Sequence, residues 1–328
     1  LFKYMKKIKD EYIFIENLDN QKTKVFIQKL KSESKKYFKE SKTKQQIRKR
    51  LIEIQNINHF SVPFISDNGM FYALKNKKNK VYSVLYLANG LFSPFIIIDG
   101  NKIYKKGLIL KEWIPNKKGD LIFYNASKSD NDQAIFFVFY LNTKKSVRQD
   151  IPSNLYPVFL CWDNTKDGFF YSRSDDNEST RKIYHHRLND HYKNDVLIYN
   201  KNFNPKGWPS INISEDGEYQ IINIFNFSDK EGEYNDFFIR RSLDGSMKQI
   251  KESKKTINYF KFYKNYVYRL TNKDADKWKI QKAKISDLLV KSKIKWIDVI
   301  KEKKQIVVSF KIVNDLLILN RFNIKESI

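Results

Sequence analysis

The chain is poor in cysteine, glycine and long apolar runs, and each shortage removes a class of protein. Cys161 is the one cysteine in 328 residues, which excludes a disulfide scaffold and most cysteine-based zinc sites. The longest apolar runs, such as 135–141, are far too short to span a bilayer, so no membrane partner is expected. Lys3, Lys6, Lys7 and Lys9 are not followed by the apolar stretch of a secretory signal, although the sequence begins at Leu1. A reducing, cytoplasmic location is the resulting expectation. None of the ten glycines starts a G-x-S-x-G pattern, and neither G-x-x-x-x-G-K-[ST] nor G-x-G-x-x-G occurs.

The remaining candidates for chemistry are few. Acyl transfer needs a nucleophile activated by a base, with donors aimed at the oxyanion. Gly245-Ser246 is the only Gly-Ser pair, and it follows Leu243-Asp244 in a segment that reads as a hairpin turn. His185 and His186 are strand neighbours and point to opposite faces, so they do not share a metal ion with His191. Cys161 beside Trp162 reads as a small apolar core residue. No catalytic, cofactor-binding or metal-binding residue is therefore assigned, and no cofactor is expected.

What the chain does have is charge. Sixty-two Lys and Arg stand against 37 Asp and Glu, a formal charge of +25. Phosphate binding through counterion release is the obvious thought. The lysines are spread along the whole chain, however, and Asn, Ile, Tyr and Phe are abundant with them, the bias an AT-rich genome imposes on any protein. Trp113 and Trp162 occupy similar repeat positions and read as core, whereas a stacking platform needs exposed aromatics among basic residues. Specific nucleic-acid binding is not expected.

Two regions are predicted. Residues 1–57 hold a stretch, 20–55, without glycine or proline and rich in Lys, Gln and Glu. Phe26 and Leu30 lie four apart, and Ile47, Leu51 and Ile54 follow helical spacing. One or two amphipathic helices in need of a partner surface are expected. Residues 58–328 instead alternate short Tyr/Phe/Ile/Val runs with tight polar turns, as β-strands do. Examples are 81–86, 135–141, 182–188, 219–224, 266–270 and 316–319.

The strands follow a beat. An apolar stretch, a tight turn and an aromatic-rich strand recur over 60–74, 113–124, 162–172, 211–224, 259–270 and 310–319. The turns centre on Gly69, Gly119, Gly168, Gly217, Asn265 and Asn314, at spacings of 50, 49, 49, 48 and 49 residues. Residues such as Asn68-Gly69, Asp167-Gly168 and Lys264-Asn265 suit positive φ in a hairpin. In an all-β chain this period means propeller blades of four strands each. An ordinary β-sandwich would supply turns without the super-period. About five blades fit, plus a partial sixth with room for two strands, which leaves a ring open. The expectation is an incomplete propeller from a longer polypeptide.

Particular segments resemble the N-terminal part of the prolyl oligopeptidase family of serine peptidases. Asp10-Glu11-Tyr12-Ile13-Phe14-Ile15-Glu16-Asn17, followed by Asp19, resembles its Y-x-W-L-E-x-x-D element, with Phe14 and Ile15 where Trp and Leu are usual. Phe60-Ser61-Val62-Pro63-Phe64, Phe71-Tyr72, Lys75-Asn76 and Ser83-Val84-Leu85-Tyr86 are similar to its first blade. Trp162 with Asp167-Gly168-Phe169-Phe170-Tyr171-Ser172-Arg173 resembles its W-x-x-D-G-x-x-F-Y-x-R strand pair. Ile183-Tyr184-His185-His186-Arg187-Leu188, Asp195-Val196-Leu197, Ser214-Glu215-Asp216-Gly217, 270–275 and 296–300 continue the series in family order. The second blade departs most: Asp130-Asn131-Asp132-Gln133 keeps only the Asp of a Gly-Ser-Asp-Trp stretch, and the turn Asn116-Lys117-Lys118-Gly119 has an extra Lys.

The resemblance implies a seven-bladed propeller capping an α/β-hydrolase domain whose Ser, Asp and His lie after the propeller, outside this sequence. It also implies that residues 1–57 pack on the hydrolase, and that the whole enzyme cleaves short peptides after proline, the propeller restricting access. The alternative is a degenerate propeller kept as a scaffold for protein or nucleic acid.

Overall fold

The computed structural model describes residues 10–39, 41–55, 59–75, 83–89, 94–128, 133–164, 167–174, 181–200, 207–228, 232–252, 256–290, 294–313 and 315–322. The chain divides into two compact units, a helical one up to His59 and a β unit from Phe60 onward.

The helical unit contains α1 (Gln21–Lys39) and α2 (Lys42–Gln55). Both starts are capped by short polar side chains, which supply the acceptors that first-turn N–H groups lack. Asn20 Oδ1 accepts from Lys22 N at 2.9 Å, and Ser41 Oγ accepts from Lys44 N at 3.2 Å. A small cluster pins the N-terminal end of α1, where the Phe14 and Phe26 rings meet edge-on at 5.6 Å. The expected helical stripe is present but bare: Ile47, Leu51 and Ile54 are each half exposed.

The β unit is a run of antiparallel sheets in sequence order. The first holds β1 (His59–Phe60), β2 (Phe64–Ser66), β3 (Gly69–Lys75), β4 (Val84–Ala88) and β5 (Phe95–Asp99). Short helix α3 (Gly100–Tyr104) leads to the second, β6 (Ile109–Pro115), β7 (Leu121–Ser127), β8 (Ile135–Tyr140) and β9 (Lys145–Arg148). The third is β10 (Val158–Trp162), β11 (Gly168–Ser174), β12 (Arg181–Arg187) and β13 (Val196–Tyr199). The fourth is β14 (Trp208–Ile213), β15 (Tyr219–Ser228), β16 (Gly232–Arg241) and β17 (Met247–Ile250). The fifth is β18 (Asn258–Tyr263), β19 (Tyr266–Thr271), β20 (Lys279–Lys284) and β21 (Ile297–Ile300), with α4 (Ile285–Val290) before its last strand. A sixth sheet contains β22 (Ile306–Val313) and β23 (Leu316–Phe322).

Strand alternation shows how these sheets stack. Successive side chains point to opposite faces. On β11, Phe169 and Tyr171 join a core with Phe123, Phe136 and Val138 of the second sheet. Phe170, between them, joins Ile211, Ile222 and Phe238 of the fourth. On β15 the same rule sends Ile222 back to the third sheet and Ile221 on to Phe260 and Val267 of the fifth. Separate cores likewise join sheets one and two around Phe71, Leu85 and Ile122, and sheets five and six around Leu270, Ile280, Val307 and Phe310. Two facing layers would share one core. A core between each consecutive pair means radially stacked blades, so the β unit is a propeller of five blades with two strands of a sixth.

The repeat turns join each blade's first and second strands, as the beat implies, but the glycines serve different ends. Gly69, Gly119 and Gly217 have positive φ. Gly168 does not: a Cβ there would lie 2.4 Å from the His186 carbonyl oxygen and 2.7 Å from the His185 ring, so close approach is what requires glycine. In the fifth turn Lys264, not Asn265, carries positive φ, and Asn314 lies outside the described residues. The divergent 130–132 stretch of the second blade is outside them too.

Candidate functional site

The first strand of every blade forms the inner ring. Each has one partner within its own sheet, and β2 touches β6, β10 touches β14, and β14 touches β18. Blade-to-blade polar bonds reinforce this ring about one repeat apart in sequence. Asp67 N and Asn68 N donate to the Lys117 and Lys118 carbonyls at 3.0 and 3.2 Å. The extra lysine of the second turn therefore offers an acceptor to the preceding blade. Trp162 Nε1 donates to the Ile114 carbonyl at 2.9 Å, and Asn164 Nδ2 to the Ser214 carbonyl at 3.2 Å.

Two small clefts open beside these turns. One, of about 130 Å³, lies between blades two and three against Asn116, Asp120, Trp162, Asn164 and Gly168. The other, of about 190 Å³, lies between blades three and four against Asp163, His185, Gln220, Arg240 and Ser242. Arg240 Nη1 donates to Gln220 Oε1 at 2.9 Å, and burial holds its guanidinium below the usual arginine range.

The histidines take structural posts. His185 Nε2 lies 3.0 Å from Asp163 Oδ2, on the face of blade three turned toward blade four. His186 points the other way, as expected, and its Nδ1 donates to Asp195 Oδ1 at 2.8 Å. Asp195 Oδ2 accepts from Tyr171 Oη at 2.6 Å, and the Tyr171 hydroxyl oxygen in turn accepts from Arg173 Nη1 at 2.7 Å. Arg173 in turn lies over the Tyr184 ring, 3.8 Å from its centre. Burial, together with the Asp195 carboxylate, pushes the Tyr171 phenol well above its ordinary range, so it stays protonated as a donor. His191 lies 3.4 Å from Asp150 on the surface.

The fifth blade buries a second charge group. Arg269 reaches Glu252 Oε1 at 2.7 Å and Gln281 Oε1 at 2.7 and 3.0 Å, and its guanidinium stacks on Trp296. Burial pushes the Glu252 carboxyl up, but Arg269 and Lys273 outweigh it and hold the group below the ordinary range. These groups hold strands together, since a buried charge is tolerated only when paired and hydrogen-bonded.

No acyl-transfer centre forms around the candidates. Ser246 sits in an exposed turn after Gly245, at φ 70°, with its N–H on Asp244 Oδ1. Cys161 is partly buried, and burial, with Asp163 nearby, pushes its thiol far above the range of a reactive thiolate. Trp113 packs on the core between blades one and two, and Trp162 on that between blades two and three, which makes both blade-to-blade core residues. Among the described residues there is no group of three or more His, Cys, Asp or Glu placed to hold a metal. Nor is any described helix long and apolar enough to cross a membrane.

The profile of one family, the prolyl oligopeptidase N-terminal beta-propeller domain, matches residues 3–328. The chain belongs to this family. A prolyl endopeptidase of Elizabethkingia meningoseptica is 23% identical over 310 residues, covering 91% of this chain and 43% of its own length. The dual function macrocyclase-peptidase POPB of Galerina marginata is 21% identical over 276 residues, covering 72% of this chain and 37% of its own. Among solved structures, a prolyl endopeptidase matches with a TM-score of 0.83 at 17% identity, covering 96% of this chain and 47% of that one. Prolyl oligopeptidase B of Galerina marginata, bound to a 35mer hydrolysis and macrocyclization substrate, gives 0.77 at 16% identity with the same coverage. At these identities the structures show the shared fold. The propeller chain thus spans less than half the length of these relatives.

The ordered series of short motifs made the family legible, although no one of them decides it. The ion groups around Arg173 and Arg269 were not foreseen. Arg173 appeared only as one letter of a strand motif, and Glu252 reaches Arg269 from the loop that precedes the blade's first strand.

Proposed function

We propose that this chain is the access-controlling, non-catalytic part of a prolyl-oligopeptidase-like serine endopeptidase that cleaves short peptides after proline. The bond-breaking Ser, Asp and His would reside on an α/β-hydrolase domain, joined to this chain or supplied by a split partner. Residues 1–57 would be the extension that packs on it, and 58–328 the propeller. One observation carries this reading: consecutive blades are fused by continuous cores into a rigid wall around an inner ring, in a member of this family that is under half its relatives' length. Such a wall admits an extended peptide and rejects a folded protein by size.

The test is turnover. The purified chain should release no chromophore from a Gly-Pro chromogenic peptide. Release that a serine-directed inhibitor abolishes would overturn the assignment. Coding DNA downstream of Ile328 tests the other half. An in-frame hydrolase with G-x-S-x-G supports the reading; a stop codon there favours a fragment, a split gene or a scaffold, and the scaffold replaces the reading if no separate hydrolase partner restores turnover.

A further inference from the structure

Blade four breaks a packing rule that blade two keeps. Three residues past the repeat glycine of blade two, Ile122 pairs with Phe139, and both are buried against blade one. Three residues past Gly217, Gln220 pairs with Arg240. Ile222 and Phe238 of the same strands pack on blade three, so alternation turns Gln220 and Arg240 toward blade three as well. A position that holds two large apolar side chains in blade two thus holds an amide and a guanidinium in blade four. Local departures of this kind concentrate where a fold is put to use.

Arg240 is half-buried, and among the described residues no carboxylate lies within ion-pair distance of it. Its described acceptor is Gln220 Oε1 at 2.9 Å, which leaves most of the five-donor fork unused. Asp244 acts on it from beyond contact and pairs instead with Arg241 at 3.7 Å. A guanidinium withdrawn from water without a counter-charge is costly. What lies beside it is the cleft of about 190 Å³ between blades three and four. The blade-three wall of that cleft carries the opposite charge: Asp163, almost fully buried, sits 3.0 Å from His185 Nε2. Phe170 and Ile198 add apolar lining. A bare anion would suit Arg240 but face Asp163, and a bare cation would do the reverse. A molecule with an ammonium and a carboxylate on one carbon suits both walls, and the volume limits it to one small organic molecule.

We propose that the cleft between blades three and four binds a free α-amino acid with a small apolar side chain, its carboxylate on Arg240 and its ammonium toward Asp163. The site is made by the propeller alone, so it does not depend on a hydrolase domain or on the peptidase reading.

The experiment is a ligand-observed NMR titration of the 328-residue chain with L-valine, N-acetyl-L-valine, which lacks the ammonium, and L-valinamide, which lacks the carboxylate. Valine should bind saturably, and each capped form about tenfold more weakly, the size of one lost charge-assisted contact. Arg240→Gln should weaken valine about tenfold and leave valinamide unchanged. Asp163→Asn should weaken valine and leave N-acetylvaline unchanged. This crossed pattern separates a lost contact from a folding defect, because each variant keeps its affinity for one ligand. Arg241→Gln removes the same charge one residue along the strand, on the other face, and should change nothing. No saturable binding of valine overturns the proposal, as does an equal loss from Arg241→Gln, which would mark diffuse charge attraction. Sodium acetate that displaces valine at equal concentration overturns the amino-acid assignment. Binding is read without turnover, so its failure leaves the peptidase reading standing, and absent turnover leaves this one standing.

Discussion

Strands β11 and β23 are both second strands of a blade, yet they differ in a way that inverts their composition. Strand β11, GFFYSRS, is buried at all seven positions, its two serines and its arginine included. Strand β23, LLILNRF, is the more apolar, yet Leu316, Ile318 and Phe322 are each more than half exposed. Neighbours make the difference. Strand β11 has a packed blade on each face, whereas the described partner of β23 is the fifth blade on one face only. Burial in a stacked fold is a property of position in the stack, and composition alone does not report it.

The comparison predicts a graded response to substitution. Phe169→Ala empties part of a core shared by two blades and should cost about 3–5 kcal/mol of stability, read as a shift in the urea midpoint. A cost under about 1 kcal/mol would mean that the core of the third blade collapses freely, against the packing seen here. Gly168→Ala adds one methyl against the His186 carbonyl and should cost about 1–3 kcal/mol, with unchanged far-ultraviolet circular dichroism. If that variant is neutral, the close approach at the turn is soft. Ile318→Ser, on the open face of β23, should change stability by no more than about 0.5 kcal/mol, although it removes a larger apolar side chain than any glycine substitution adds. A large loss there would show that a partner covers this face in solution.

Much of the architecture was legible in the sequence because each blade repeats one physical requirement, a tight turn between two buried strands. The beat near 49 residues therefore gave the blade count and the hairpin positions. The reasons at individual turns were less accessible. Gly168 reads as a positive-φ residue, but its constraint is a carbonyl and an imidazole contributed by β12, a strand that pairs only after folding. The register Tyr263↔Tyr266 leaves Lys264 and Asn265 in the turn, and it is Lys264 that takes the left-handed conformation, beside an asparagine better suited to it. The opposed His185 and His186 followed directly from strand alternation. The Asp195 and Glu252 carboxylates did not, since each arrives from a loop whose path is set by packing rather than by local pattern.

The helices give the converse lesson. Their periodicity was plain, yet the pattern says only that a face exists, and Ile47, Leu51 and Ile54 remain half exposed in the helical unit.

The polar bonds between successive turns join residues 48 to 52 positions apart, as in Trp162 to Ile114, Asn164 to Ser214 and Tyr263 to Asp315. Each such bond closes a loop of one repeat, so ordering a blade requires only that its predecessor be in place. Assembly of this kind proceeds as a nearest-neighbour chain, with cooperativity passed from one hairpin to the next. Damage to one blade should therefore loosen its two neighbours first and leave more distant sheets protected against hydrogen exchange.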